Sequence, residues 1–284
     1  MEWPAGEPQV VRLHAHVTLH EGSSATIMSA EHPTSSSALF LARGADFEEL
    51  IPPSSLLVTV DETGDEGLSD DAYPLFGLGG CAALAANYAV EIAEPWMALK
   101  RQHFGDPRVS LHAVNYRSWT PAQREAIGQF FASRYFARIG AVTTRATILA
   151  PGLSVYEATA TGLTLQLRNI LPLFDLSSIT FLFESSQRGD RLAERFFRRF
   201  RVLAATEGGQ LSVPLKFFSA EKGVADPLLE VADFVMHCAG SAVRDRLEGK
   251  DHRKRRDVQV VFERIGHPVA SYVELTSMAR PNAA

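Results

Sequence analysis

The chain of 284 residues predicts an α/β fold built on a mixed sheet, and three observations lead there. Apolar runs of strand length come close together early, between residues 56 and 84. Later runs of the same kind alternate with stretches of helical period. The run 56–60, "LLVTV", is apolar on both faces, as in a strand covered on two sides.

Taken in order, residues 1–53 read as an irregular N-terminal extension ahead of a domain over 54–284. Within the extension, "VVRLHAHVTLH" alternates in part and suits a strand. "ALFLARGADFEELIPP" suits a short helix stopped before Pro52 and Pro53. Residues 56–60 form the first strand of the domain and 75–84 the second, where Gly77, Gly79 and Gly80 permit close packing or a bulge. Residues 85–104 read as a helix that Pro95 should kink or split. A short strand is expected at 109–113. A helix over 121–139 follows, with Thr120 as N-cap and Pro121 in its first position. Strands are expected at 141–150, 179–184, 211–218 and 269–275. Helices are expected at 161–174, 190–205 and 226–247, the last capped by Asp226. "VQVVFERI", 258–265, fits either a short helix or a strand.

The composition is 46% hydrophobic and 21% charged, enough apolar material for a substantial core. A net charge of -5 gives no global reason to expect nucleic acid, although a local patch can differ from the total. Cys81 and Cys238 sit in apolar segments without metal-ligand spacing, which reads as two buried free thiols in a reducing compartment. The start of the chain lacks the basic-then-apolar pattern of a signal peptide, and no window approaches about 18 apolar residues. The expectation is a soluble cytoplasmic protein.

Three carboxylates fall where an apolar element should not carry a charge. Asp61, followed by Glu62, closes the first apolar run; Glu184 closes "SITFLFE"; Asp233 lies inside the apolar helix "PLLEVADFVMHCAG". Each has an ordinary explanation. "DETGD" is good turn chemistry, Glu184 could lead into the next helix, and Asp233 could pair with an arginine or with His237 one turn on. Jointly they suggest something else, because carboxylates gathered at strand ends repel one another unless a cation sits among them. Oxygen ligands from separate elements suit Mg²⁺ or Mn²⁺. His112, in "VSLHAVNYR", could reach the same place or be a structural histidine.

The motifs "VTVDETGD", "PLFGLGGCAAL", "WMALKRQHFG", "SLHA" and "LLEVADFVMHCAG", in that order over roughly 56–275, resemble the bacterial and phage family called domain of unknown function 3800. Thr63 stands where that family usually has serine. The resemblance implies a ribonuclease H-like fold: a mixed five-stranded sheet with helices on both faces. It further implies divalent metal held by acidic residues at the end of the first strand, at the end of the fourth and on a late helix. By order along this chain those are Asp61, Glu184 and Asp233.

The chemistry that would follow is metal-dependent phosphodiester hydrolysis, a nuclease reaction. Asp61 would bridge, Glu184 and Asp233 would complete the site, and Glu62 would assist. His112 would orient water, move a proton or touch phosphate. Lys216 and Lys222 are weaker phosphate contacts. Nucleic acid would also need basic surface, for which Arg191, Arg195, Arg198 and the segment 244–256 are the candidates; a solvated face or charge compensation at a helix C-terminus is their more ordinary explanation. The alternative is a non-catalytic nucleic-acid-binding or phage-defence module that keeps the fold.

Overall fold

A computed structural model describes residues 11–15, 39–43, 47–171, 176–185, 191, 194–196, 198, 200, 213–221, 227–251, 261–262 and 270–278. Strands β1 (Val11–Ala15), β2 (Leu39–Arg43) and β3 (Phe47–Ile51) form one three-stranded sheet in that order. β1 runs parallel to β2, and β2 antiparallel to β3. The short helix expected near 39–51 is thus corrected to a pair of strands. "LFLAR" and "FEELI" are each one strand long, and Gly44 and Asp46 between them are turn formers.

The main sheet has six strands: β4 (Ser55–Gly64), β5 (Leu75–Leu84), β6 (Ala137–Leu149), β7 (Ser178–Ser185), β8 (Leu215–Glu221) and β9 (Ala270–Met278). Their spatial order is β8-β7-β4-β5-β6-β9. The β4–β5 and β5–β6 pairs are antiparallel, and β4–β7, β7–β8 and β6–β9 are parallel, so the sheet is mixed. β4 lies inside the sheet between β5 and β7, as its doubly apolar pattern requires.

Alternation along β4 sends the two faces into different cores. Leu56, Val58 and Val60 pack with Phe181 and Phe183 of β7 against Tyr156, Leu163 and Leu167 of α4 (Val155–Ile170), and with Phe196 and Phe200. Leu57 and Cys81 face the other way. There they meet α1 (Ala85–Tyr88), α2 (Glu94–His103), α3 (Pro121–Ser133) and α5 (Pro227–Leu247). Trp96 is the hub of that core, with ring centroids of Phe130 at 4.7 Å and Phe234 at 5.5 Å. Helices therefore cover both faces of the sheet.

Local chemistry explains most boundaries. Thr120 and Ser154 each open a helix with a reciprocal capping box, to Gln123 and Glu157. Between α1 and α2 the helix widens into a π-turn, Ala89–Ala93, directly ahead of Pro95, which breaks the regular ladder as expected. Several boundaries move: α3 stops at Ser133, β6 begins at Ala137, α4 runs Val155–Ile170, and the strand expected at 211–218 is Leu215–Glu221. The strand expected at 109–113 does not form; this stretch has no sheet partner among the described residues and leads into a 3-10 turn, Ala113–Ser118. Asp226 and most of 190–205 and 258–265 lie outside the described residues.

β4 does not end at its carboxylates. It runs through Asp61 and Glu62 to Gly64, whose φ of 77° turns the chain. A Cβ on Gly64 would lie 2.0 Å from the Leu75 carbonyl oxygen, so glycine is required there. Cys81 and Cys238 are buried and not joined in a disulfide. Among the described residues no helix is long and apolar enough to cross a membrane.

Candidate functional site

Asp61 shares the odd-numbered face of β4 with Leu57, the face covered by α5. On β7, Leu182 belongs to that same core, so Glu184 points to the same side. The last paired rung of these parallel strands is Val60 with Phe183, which leaves Asp61 and Glu184 as the next residues on each strand. Asp233 lies on α5, the helix that covers this face, near enough for its charge to act on Asp61.

The three carboxylates feel one another. Burial is the main force lifting the Asp61 carboxyl well above its ordinary value, and the charges of Asp233, Glu62 and Glu184 add to it. The Glu62 N–H, 2.9 Å from Asp61 Oδ1, opposes that lift only in part. Asp233 is also raised, chiefly by burial and further by Glu184. A hydrogen bond from the Ala113 N–H at 2.8 Å and the fields of His237 and His112 pull it back. Among the described residues, no group of three or more His, Cys, Asp or Glu side chains is already disposed to hold a metal ion. The crowding of charge is present without a finished ligand cage.

The other expected participants divide. His112 lies beside Asp233: its Nδ1 is 3.9 Å from Asp233 Oδ2, and its Nε2 is 3.3 Å from Ser110 Oγ. Glu62 faces the opposite side of the sheet, where its charge helps raise the Tyr156 hydroxyl, itself raised mainly by burial. It contributes to Asp61 through its field rather than from the same face. Lys216 pairs in register with Thr180, whereas Glu184 pairs with Ala220. Four residues of strand separate these rungs, about 13 Å. Lys222 lies outside the described residues.

The basic candidates are largely engaged with acids. Arg195 makes two 2.7 Å bonds to Glu66 and covers the Tyr156 ring at 3.9 Å. Arg198 pairs with Glu194 one turn back, Arg246 with Glu274, and Lys250 with Glu248. Arg191 is exposed, and 252–256 lies outside the described residues. Each of these described pairs is a partly exposed surface ion pair.

One further residue is not among those that the sequence reading singles out. Glu230 is buried on α5, one turn before Asp233. It accepts hydrogen bonds from the Trp96 Nε1–H, from Lys100 Nζ at 3.0 and 3.1 Å, and from the Leu111 N–H at 3.1 Å. Lys100 is fully buried, so the pair is an internal one. The signal that could have found it is spacing: Trp96 and Lys100 lie four apart on α2, and Glu230 and Asp233 three apart on α5. The segment 109–113 therefore gives two alternate N–H groups, of Leu111 and Ala113, to two carboxylates of one helix face.

Compared with protein-family models, curated proteins and solved structures, the chain finds no match.

Proposed function

We propose that this chain is a divalent-metal-dependent phosphodiester hydrolase, a nuclease, with a ribonuclease H-like fold like that of the domain of unknown function 3800 family it resembles. The observation that carries the reading is the crowding of Asp61, Glu184 and Asp233 on one side of the sheet, with Asp61 and Asp233 both pushed toward protonation. Counted from β4, Asp61 lies on the first strand, Glu184 on the fourth and Asp233 on a late helix, the places that fold reserves for metal-binding acids. The sixth strand, β9, is an addition at the β6 edge.

The donor set fits Mg²⁺ or Mn²⁺ in chemistry and charge: carboxylate oxygens on separate elements, crowded enough that a cation would relieve their repulsion. Asp61, Glu184 and Asp233 would hold it. When bound, such an ion supplies Lewis acidity and an activated water for attack on phosphorus. Asp233 directs Oδ2 to the Ala113 N–H, which fixes the carboxylate's orientation. His112, half exposed beside it, is positioned to hold or move a proton at its ring nitrogens.

The test is thermal melting of the wild type and Asp61→Asn with Mn²⁺ and with chelator, alongside cleavage of labelled single- and double-stranded DNA and RNA. Metal at about a hundredfold over its Kd should stabilise the wild type by about 2.7 kcal/mol. Asp61→Asn should lose both that rise and cleavage. No metal-dependent rise in the wild type would remove the metal. A rise without cleavage of any substrate would replace the hydrolase with the binding module.

A further inference from the structure

We infer that Glu230, neutralised by Lys100, is a positioning residue that docks the segment 109–113 on α5 and so stands His112 beside Asp233. Four observations converge on it. The pair is internal, with Lys100 fully buried and Glu230 6% exposed. Glu230 Oε1 accepts from both Lys100 Nζ and the Leu111 N–H, at 3.1 Å each. One turn later Asp233 Oδ2 accepts the Ala113 N–H at 2.8 Å. Among the described residues the segment has no sheet neighbour, so these two carboxylates take the place of one.

His112 lies between the two tethered amides, so a chain held at 111 and 113 has little freedom at 112. A buried ion pair is a poor source of net stability compared with apolar residues of the same volume. A positional role accounts for its presence where a stabilising one does not. Lys100 also keeps Glu230 occupied, which leaves Asp233 as the acid of this helix face that is open to the site. The inference rests on the proposed hydrolase for what His112 does, but not for where His112 is held.

The experiment needs neither metal nor nucleic acid. Two full-length triple variants share Trp96→Phe and Lys100→Met, which remove the other donors to residue 230. The first adds Glu230→Gln, which keeps an acceptor for the Leu111 N–H; the second adds Glu230→Leu, which does not. Amide exchange is followed by nuclear magnetic resonance at Leu111, Ala113 and, as a core reference, Val235. Nuclear Overhauser contacts are followed between the His112 ring and the Asp233 β protons. The wild type and the Glu230→Gln triple variant should protect both amides and show the contacts. The Glu230→Leu triple variant should exchange Leu111 and Ala113 at least tenfold faster and lose the contacts, with Val235 unchanged. Equal protection in the two variants would overturn the inference, as would unprotected Leu111 and Ala113 in the wild type. So would loss of Val235 protection in step with Leu111 in the Glu230→Leu triple variant alone, which would make the residue merely structural. If wild-type protein shows the tether but no metal-dependent shift, the hydrolase fails and the positioning stands.

Discussion

Asp61 carries a cost that its neighbours impose. Burial and the charges of Asp233, Glu62 and Glu184 lift its carboxyl above the ordinary 3.8. A raised acid contributes stability that is complete below its unfolded value and is lost as pH rises through its folded value. Asp61 should therefore make metal-free protein lose stability as pH rises from 3.8 through its raised value. Asp61→Asn removes the charge and keeps an oxygen for the Glu62 N–H. It should raise the melting temperature in chelator at neutral pH by a few degrees, on the order of 1 kcal/mol, and flatten that stretch of the pH profile. A lower melting temperature would mark Asp61 as an ordinary turn or pairing residue. Lys100 makes the opposite case. Lys100→Met strands a buried carboxylate, and urea unfolding should show a loss of about 3–5 kcal/mol.

Among elements, α5 shows most clearly what a sequence does and does not reveal. Its apolar period and the charge at Asp233 are both legible, because a carboxylate inside such a run stands out. Glu230 is hidden by the same run: its reason lies on α2, 130 residues away in sequence. The segment 109–113 reads as a strand because "VSLHA" alternates like one; what decides is the presence of a partner, and here the partner is a helix. β4 is legible as central because both its faces are apolar, but its end is not. Alternation continues through Asp61 and Glu62, and only the φ of Gly64 stops it. The "LGG" motif has its cause in packing. A Cβ on Gly79 would lie 2.6 Å from Gly140 Cα and 2.7 Å from Met236 Sδ. Gly79→Ala should cost about 1–3 kcal/mol through forced displacement of β6 and α5, measurable by denaturant unfolding. A neutral outcome would show that α5 can rise off the sheet.

For the whole molecule, the division expected from the sequence, an extension over 1–53 and a domain over 54–284, can be tested by truncation around Ile51. Ile51 ends β3 yet is 1% exposed, packed in the core that contains Trp96 and α5. A chain beginning at residue 51 should unfold in a single cooperative transition, because the six-stranded sheet and both its helical layers are retained. One beginning at residue 54 lacks that side chain and should be weaker by about 2–5 kcal/mol, the usual cost of emptying a large aliphatic site. Loss of cooperativity in the longer of the two would mean that residues before 51 supply part of the core as well.

The glycine floor under α5 has a mechanical consequence. Most helices are held on a sheet by side chains that mesh, which fixes height and sliding together. Here the thioether of Met236 rests over Gly77, Gly79 and Gly140, three positions with nothing to mesh. The floor sets how closely α5 can approach the sheet, and the amides of Leu111 and Ala113 are bound to that helix rather than to the sheet. Asp233 and His112 thus form one carriage, and Asp61 and Glu184 belong to the rail. In the proposed hydrolase, a cation held by Asp61, Glu184 and Asp233 would therefore tie the two parts together.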